Sequence, residues 1–148
     1  MIAVTVGTSG LGFHSVAEKL SGPLKQKFLE KTAAYAYSLA YMGAPFRTGE
    51  LKNSLVYGVQ GDQAYVAALA PHAVFVSKGT RPHTIRPVRA SCLAFEADSG
   101  IVHSVRLTRF AKVVYHPGTR ANPYMENAAQ RTRENVERIF AETWYEMI

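Results

Sequence analysis

The spacing of apolar residues predicts a long helix in the first third of the chain. Ser21-Gly22-Pro23 marks its start and Gly43-Ala44-Pro45 its end, because proline suits the first turn of a helix and a Gly/Pro pair stops it. One face carries residues at helical spacing: Leu24, Phe28, Thr32, Tyr35, Leu39 and Met42. A second, smooth face consists of alanines: Ala33, Ala36 and Ala40.

Alternation with a period of two predicts strands on either side of this helix. Residues 2–6 form a short β-branched run. After the helix, two alternating sets of residues flank Gly61-Asp62. They are Leu55, Tyr57 and Val59, followed by Tyr65, Ala67 and Leu69. Two such runs around a Gly-Asp pair predict a β-hairpin.

Shorter signals occupy the chain up to residue 121. Thr48 is predicted to cap a turn that runs through Leu51, and residues 71–77 are apolar enough for one helical turn. A second hairpin is predicted around Asp98-Ser99-Gly100, and a further strand over residues 110–115. The arms of this second hairpin are Leu93-Ala94-Phe95 and Ile101-Val102.

The last element is predicted to be one continuous helix that starts at Asn122-Pro123. At the helical rise it would be about 39 Å long. Its stripe comprises Met125, Ala128, Ala129, Thr132, Val136, Ile139, Phe140, Thr143, Trp144 and Met147. Arg133 with Glu137, and Glu134 with Arg138, lie one turn apart on the opposite face. We expect the stripe to pack on the core, with part of it available to a neighbouring subunit.

Together these elements predict one α+β domain over residues 1–148. The expected architecture is a mainly antiparallel sheet of about four to five strands, packed by the long N-terminal-half helix and the long C-terminal helix. The start lacks the basic and apolar regions of a secretion signal, and no apolar run is long enough to span a bilayer. Cys92 is the only cysteine, so we expect a soluble, intracellular protein with a buried structural thiol.

Positive charge is concentrated in one central block. The chain has 17 basic and 11 acidic residues, a formal net charge of +6. Residues 78–120 hold eight of the basic ones against Glu96 and Asp98, and the rest of the chain is balanced. Arginine suits phosphate and carboxylate groups, whereas the alternative is a solvated strand face. The predicted contacts with DNA or a partner are Arg81, Arg86, Arg89, Arg106, Arg109, Lys112 and Arg120.

The residues give little support to a cofactor or metal site. Residues 2–12 resemble a dinucleotide loop, but Val6 stands where its first glycine belongs, and no tyrosine is followed four positions later by lysine. The histidines lack metal-ligand spacing, so a zinc site would need tertiary convergence, with Cys92 as the sole thiolate. They are His14, His72, His83, His103 and His116. We expect His83 and His116, each beside a proline, to hydrogen-bond to loop backbone.

Four segments in order resemble a phage family. Residues 44–55, APFRTGELKNSL, are similar to the signature A-P-x-x-T-G-x-L-x-x-S of tailed-phage neck and tail-completion proteins from lambdoid and related phages. Residues 72–80 resemble the Y-A-x-x-V-E-x-G-T segment, with His72 for tyrosine and Ser77 for the acid. Residues 83–87 resemble H-x-I-x-P. Residues 113–125 resemble V-x-H-P-G-T-x-x-x-P-F-L, with Tyr and Met replacing Phe and Leu.

The resemblance implies a structural virion protein at the head–tail junction, without catalytic activity or cofactor. It implies a homo-oligomeric ring, with six copies as the number it suggests, on the path of the genomic DNA. The implied partners are a head–tail connector or head-completion protein and a tail-tube or tail-terminator protein, with no membrane. Assembly is expected in the host cytoplasm and residence in the virion neck or tail. The motif positions, expected to be structural, are Pro45, Thr48, Gly49, Leu51, Ser54, Gly79, Thr80, His83, Pro87, His116, Pro117, Gly118, Thr119 and Pro123.

Two other functions are alternatives. The first is a DNA-binding module. Its binding would be independent of DNA sequence, because the basic block shows no stacked aromatic platform or recognised nucleic-acid motif and would contact only the DNA backbone. The second is a small nucleotide-dependent enzyme, which heat and thermal stabilisation on addition of NAD(P) would reveal.

Overall fold

A computed structural model describes residues 2–7, 22–98 and 106–148. The chain divides into two compact units. The larger unit consists of Met1–Lys78 and Ala121–Ile148, and the smaller unit is Gly79–Arg120. Helices and antiparallel strands are both present, which confirms the α+β class.

The larger unit contains a three-stranded antiparallel sheet in the order β1-β3-β2. Its strands are β1 Ile2–Gly7, β2 Leu55–Gln60 and β3 Gln63–Ala68. Gln60 and Gln63 are partners, so Gly61-Asp62 is a two-residue turn, and Gly61 has a φ of 57°. The predicted first strand and first hairpin are therefore confirmed.

The long helix predicted before this hairpin is α1, Pro23–Gly43, with Pro23 in its first turn. The alanine face is fully buried, since Ala33, Ala36 and Ala40 are all inaccessible. Small side chains allow neighbouring backbones to approach closely, and α1 packs against β2, β3 and both C-terminal helices. Met42, the last residue of the predicted apolar stripe, is instead exposed.

Two short helices join these elements. Helix α2 is Glu50–Asn53. Its N-cap residue is Gly49, which has a left-handed backbone with a φ of 84°. Thr48 supports this turn less directly than predicted, because its Oγ1 accepts a long hydrogen bond of 3.4 Å from the Glu50 amide. Helix α3, Ala73–Lys78, confirms the predicted helical turn after β3.

The C-terminal helix is not continuous, which corrects the sequence-based expectation. Helix α4, Tyr124–Glu134, and helix α5, Val136–Tyr145, are separated at Asn135. The Asn135 side chain donates to the Arg131 carbonyl oxygen at 2.9 Å, and such side-chain bonds to backbone compete with helical geometry. The start also differs slightly, because Pro123 occupies the N-cap position instead of the first turn.

The core of the larger unit lies among the sheet, α1 and the two C-terminal helices. Phe28 and Phe140 meet edge to face with ring centroids 5.7 Å apart. Buried threonines satisfy their hydroxyls on the carbonyl one turn earlier, as Thr132 does with Ala128 at 2.7 Å. Tyr124 is buried, and its hydroxyl has no hydrogen-bond partner among the described residues. Burial, then the charge of Glu126, raises the pKa of this phenol.

The smaller unit holds two separate two-stranded antiparallel sheets. Strand β4, His83–Ile85, pairs with β7, Val114–His116, and β5, Leu93–Asp98, pairs with β6, Arg106–Ala111. The described strands thus form three small sheets, so the expected single sheet of four to five strands is wrong in that detail. Among the described helices, none has the length and apolarity that crossing a membrane would require.

The pairing of the second hairpin is confirmed over the described residues, where β5 runs antiparallel to β6. Strand β5 continues through Asp98, a residue predicted to belong to the turn, and Asp98 pairs with Arg106. The predicted arm Ile101-Val102 lies outside the described residues. The strand expected over residues 110–115 is divided, because the chain bends at Lys112 and leaves β6 before it enters β7.

Candidate interaction site

The base of the smaller unit is a paired segment that we call the stem, residues 79–85 and 114–119. Beyond β4 and β7, it is extended by a bridge between Thr80 and Thr119. The Thr80 amide donates to the Thr119 carbonyl at 3.0 Å, and the Thr119 amide donates to the Thr80 carbonyl at 3.1 Å. The Thr80 hydroxyl oxygen lies 3.0 Å from the same Thr119 amide. The two ends of the smaller unit, Gly79–Arg120, are therefore hydrogen-bonded to each other.

Two histidines face each other across the stem. His83 and His116 are strand partners, and their rings stack with centroids 5.1 Å apart. The His116 Nδ1 accepts from the Gly118 amide at 3.0 Å, while the His83 Nδ1 donates to the Arg81 carbonyl at 2.9 Å. The bond at His116 therefore needs an Nδ1 without a proton, whereas the bond at His83 needs an Nδ1 that carries one. The expectation that both histidines bind loop backbone is confirmed.

Gly118 lets the two halves of the stem approach. Its φ is 89°, a left-handed conformation that favours glycine. A Cβ atom at this position would collide with the Thr80 carbonyl oxygen. Gly79 also has a positive φ, of 72°, where the chain enters the smaller unit. Two glycines of the resemblance are thus required by backbone geometry.

The basic block of the sequence and the smaller unit nearly coincide. Gly79–Arg120 contains seven basic residues against Glu96 and Asp98, a net charge of +5, whereas the larger unit has ten basic and nine acidic residues. Arg106 is described at its register position, as the partner of Asp98 in the β5–β6 pair. The side chains that the structure describes as exposed are Arg81, Arg86, Arg89, Arg109, Lys112 and Arg120.

The smaller unit also exposes apolar side chains beside these cations. Phe110 and Tyr115 are each 69% exposed, and Val88 is 96% exposed. Phe110 directly follows Arg109 in β6, so an exposed aromatic side chain and an exposed cationic one are neighbours along this strand. Sequence reasoning placed Phe110 and Tyr115 in a strand and did not foresee their exposure, because a period of two does not tell which face lacks a covering layer.

The remaining motif residues have structural surroundings. In the larger unit, Leu51 is buried, and the Ser54 hydroxyl donates to its carbonyl at 2.7 Å. The Ser54 carbonyl in turn accepts from the Leu69 amide at 3.0 Å, which connects α2 to the hairpin. Pro45 is exposed after α1. Pro87 and Pro117 flank the stem strands, outside the paired residues.

The described parts of the chain hold no cluster of metal-ligating side chains. Within residues 2–7, 22–98 and 106–148, no group of three or more histidine, cysteine, aspartate or glutamate side chains could hold a metal ion. Cys92 lies in a bend before β5 and is only half-buried, which corrects the expected buried thiol within a strand. His14, His103 and the glycines of the dinucleotide-like loop after Gly7 lie outside the described residues.

Comparison with known proteins leaves the function to be argued from this geometry: no family model, no curated protein and no solved structure matches the chain.

Proposed function

We propose that this protein is a structural component of a tailed-phage neck, where it completes the tail and joins it to the capsid connector. One observation carries the proposal. The motif segments at residues 79–83 and 116–119 are more than thirty positions apart, yet they form one stem in which His83 stacks on His116 and Gly118 fits against Thr80. The resemblance therefore rests on residues that act as one structural element.

Along the chain, the cationic unit is inserted between the two segments of the larger unit. In a closed ring each copy offers one surface to its predecessor and a different surface to its successor. Such a ring, on the DNA path, would repeat the +5 charge of the smaller unit once per copy. The arginines then face either the phosphates of the genome or an acidic surface of a connector, tail-tube or tail-terminator protein.

Deleting the gene from the producing phage tests this function. We expect capsids and tails that remain unjoined or abnormal by electron microscopy, and the wild-type gene supplied in trans should restore joined, infectious particles. The protein should also be found in purified wild-type virions, at the neck. Normal, infectious, joined particles made without the protein would refute the proposal.

A matched pair of glycine variants sharpens the test. Gly118→Ala should fail to complement the deletion, because it disrupts the stem that presents the basic unit. Gly61→Ala should complement, because a Cβ at Gly61 meets no atom within 4 Å. Equal complementation by both variants would contradict the expectation that neck assembly needs glycine at position 118.

A second candidate function is binding of duplex DNA regardless of sequence. It is favoured by one observation, the segregation of a +5 charge into a compact unit of 42 residues with six exposed cationic side chains. Cations that neutralise phosphates release counterions, and the affinity then falls steeply with salt.

A fourfold substitution tests this candidate. Changing Arg86, Arg89, Arg106 and Arg109 to glutamine should abolish the shift of duplex DNA in a gel, or reduce the salt slope by about 3 to 4. The control removes the same charge from the larger unit, at Arg47, Lys78, Arg131 and Arg133, and should bind like the wild type. Absence of DNA binding by the wild type at low salt would exclude this candidate.

A further inference from the structure

Among the described strands, β1 and β2 are the two edge strands of the sheet of the larger unit. Within the described residues, β1 and β2 each pair only with β3. Both are six residues long, and neither contains a charged residue or a proline. Natural proteins usually protect exposed edges with lysine, proline, bulges or short strands, because an open edge is a template for another strand. Neither β1 nor β2 carries lysine or proline, so both edges are suited to pairing.

An aromatic surface lies beside the β2 edge. Val56 is 38% exposed and Tyr57 is 49% exposed. The centroid of the Tyr37 ring lies 4.9 Å from that of Tyr57 and 6.0 Å from that of Tyr41. The three tyrosines therefore form one cluster. The Lys52 ammonium group lies over the Tyr41 ring, 4.8 Å from its centroid. An added strand would thus gain backbone hydrogen bonds from β2 and apolar contacts from this cluster.

We propose that the β2 edge of one copy pairs with the β1 edge of the next copy, so that the sheets of successive copies become continuous. The proposal deepens the ring hypothesis and rests on it. The two edges differ in sequence, LVYGVQ and IAVTVG, which is the condition for a heterologous contact that leads to a ring. They also match in length, so the pairing leaves no part of either edge open.

The sheet topology fixes the direction of this pairing. Strands β1 and β2 run the same way, because each is antiparallel to β3. Adjacent strands in a sheet are rotated by only about 20–25°. The symmetry axis that relates neighbouring copies must therefore lie close to the strand direction. Rotation about such an axis leaves the direction of the strands unchanged. The junction between copies is a parallel pair of β2 with β1, whereas a two-fold pairing of β2 with β2 would be antiparallel and would stop at a dimer.

Charge at the β2 edge provides the test. Val56→Lys places an ammonium group on the proposed junction and should lower the apparent association constant of the full chain by at least about tenfold. Val88→Lys makes the same change at a fully exposed valine of the smaller unit and should associate like the wild type. Native mass spectrometry and sedimentation over a concentration series report the number of copies. Circular dichroism verifies the fold, and Gln60→Lys, at the exposed end of β2, replaces Val56→Lys if that variant does not fold.

The outcomes are distinct. Species of more than two copies in the wild type and Val88→Lys, lost in Val56→Lys or Gln60→Lys, support the proposal. A wild type that stays monomeric at its highest soluble concentration, one that stops at dimers, or edge variants that assemble normally would overturn it. Loss of association together with normal virions made by the same edge variant would show that the neck does not use this pairing. The neck function is refuted separately, if deletion of the gene leaves the virions normal.

Discussion

Tyr124 shows how a single atom can oppose the packing around it. The side chain is buried in the main core, but its hydroxyl finds no partner among the described residues. An unsatisfied buried polar group costs about 1–3 kcal/mol. Tyr124→Phe removes only this oxygen, so the free energy of unfolding should stay equal or rise by up to about 3 kcal/mol in urea titrations.

The control for this prediction removes the ring as well. Tyr124→Ala should lower the free energy of unfolding by about 3–5 kcal/mol, because it leaves a cavity beside Met125 and Gly43. If Tyr124→Phe were clearly destabilising, the hydroxyl would have to hold a partner such as a buried water molecule.

Glu146 links stability to pH. Hydrogen bonds from Lys31 and then Lys27 lower the pKa of this carboxyl from the usual 4.5. Because the folded-state pKa is depressed, the stabilisation is present above pH 4.5 and is lost as the pH falls through the folded value. Glu146→Gln should therefore be less stable than the wild type at pH 7, with the difference vanishing in strong acid. Chemical denaturation at both pH values measures it, and a difference that does not change with pH would contradict the assignment.

At the scale of elements, the sequence predicts the structure correctly where neighbouring residues determine it. The β2–β3 hairpin followed from Gly61-Asp62, and α1 followed from its proline start and glycine end. The break at Asn135 was missed, because the apolar stripe continues through it from Thr132 to Val136. Periodicity reports which face is buried, and it does not report whether the helix is continuous.

Replacing either of two glycines with positive φ by alanine should have very different costs in stability. Gly61→Ala should cost about 1–2 kcal/mol at its turn, because only the backbone conformation is strained. Gly118→Ala adds a collision with the Thr80 carbonyl and should cost at least about 3 kcal/mol. Amide hydrogen exchange at Thr80 and Thr119 measures stem opening, with the hairpin amides as the reference. Similar costs at the two sites would show that the stem relaxes around the new methyl group.

At the scale of the whole molecule, the distribution of charge could be predicted from the sequence, but the pairing of distant strands could not. The basic block was visible because its residues are contiguous, and it corresponds to one compact unit. The pairing of His83 with His116 was not visible, since it depends on a long-range register between β4 and β7. Single-sequence patterns also could not show that the strands divide among three sheets, because partner choice is set by tertiary packing.

The inserted position of the smaller unit predicts that it can be removed. The Asn122 amide donates to the Val76 carbonyl at 3.0 Å, so the flanking chain ends are already close. Replacing Gly79–Arg120 with a short Gly-Ser linker should leave a larger unit that unfolds cooperatively and keeps its helical circular dichroism.

The same variant should lose salt-sensitive DNA binding if the second candidate function holds, because it lacks seven basic residues. A molten or aggregated product would show that the larger unit depends on the insertion for its fold. The control is the full chain with the same linker added at Gly61-Asp62, where loop length is tolerated.

The divided larger unit also dictates an order of events on the ribosome. Its sheet and α1 are synthesised first, but α4 and α5, which complete the core around Tyr124, follow only after residues 79–120. At roughly 5–20 residues per second, translation of that stretch takes about 2–8 s, whereas a hairpin forms in microseconds. The nascent chain must therefore wait with an unfinished core while the arginine-rich segment emerges. Pulse-labelling of ribosome-bound chains, stalled before α4 and α5 have left the exit tunnel, should find α1 less protected than in the released full chain.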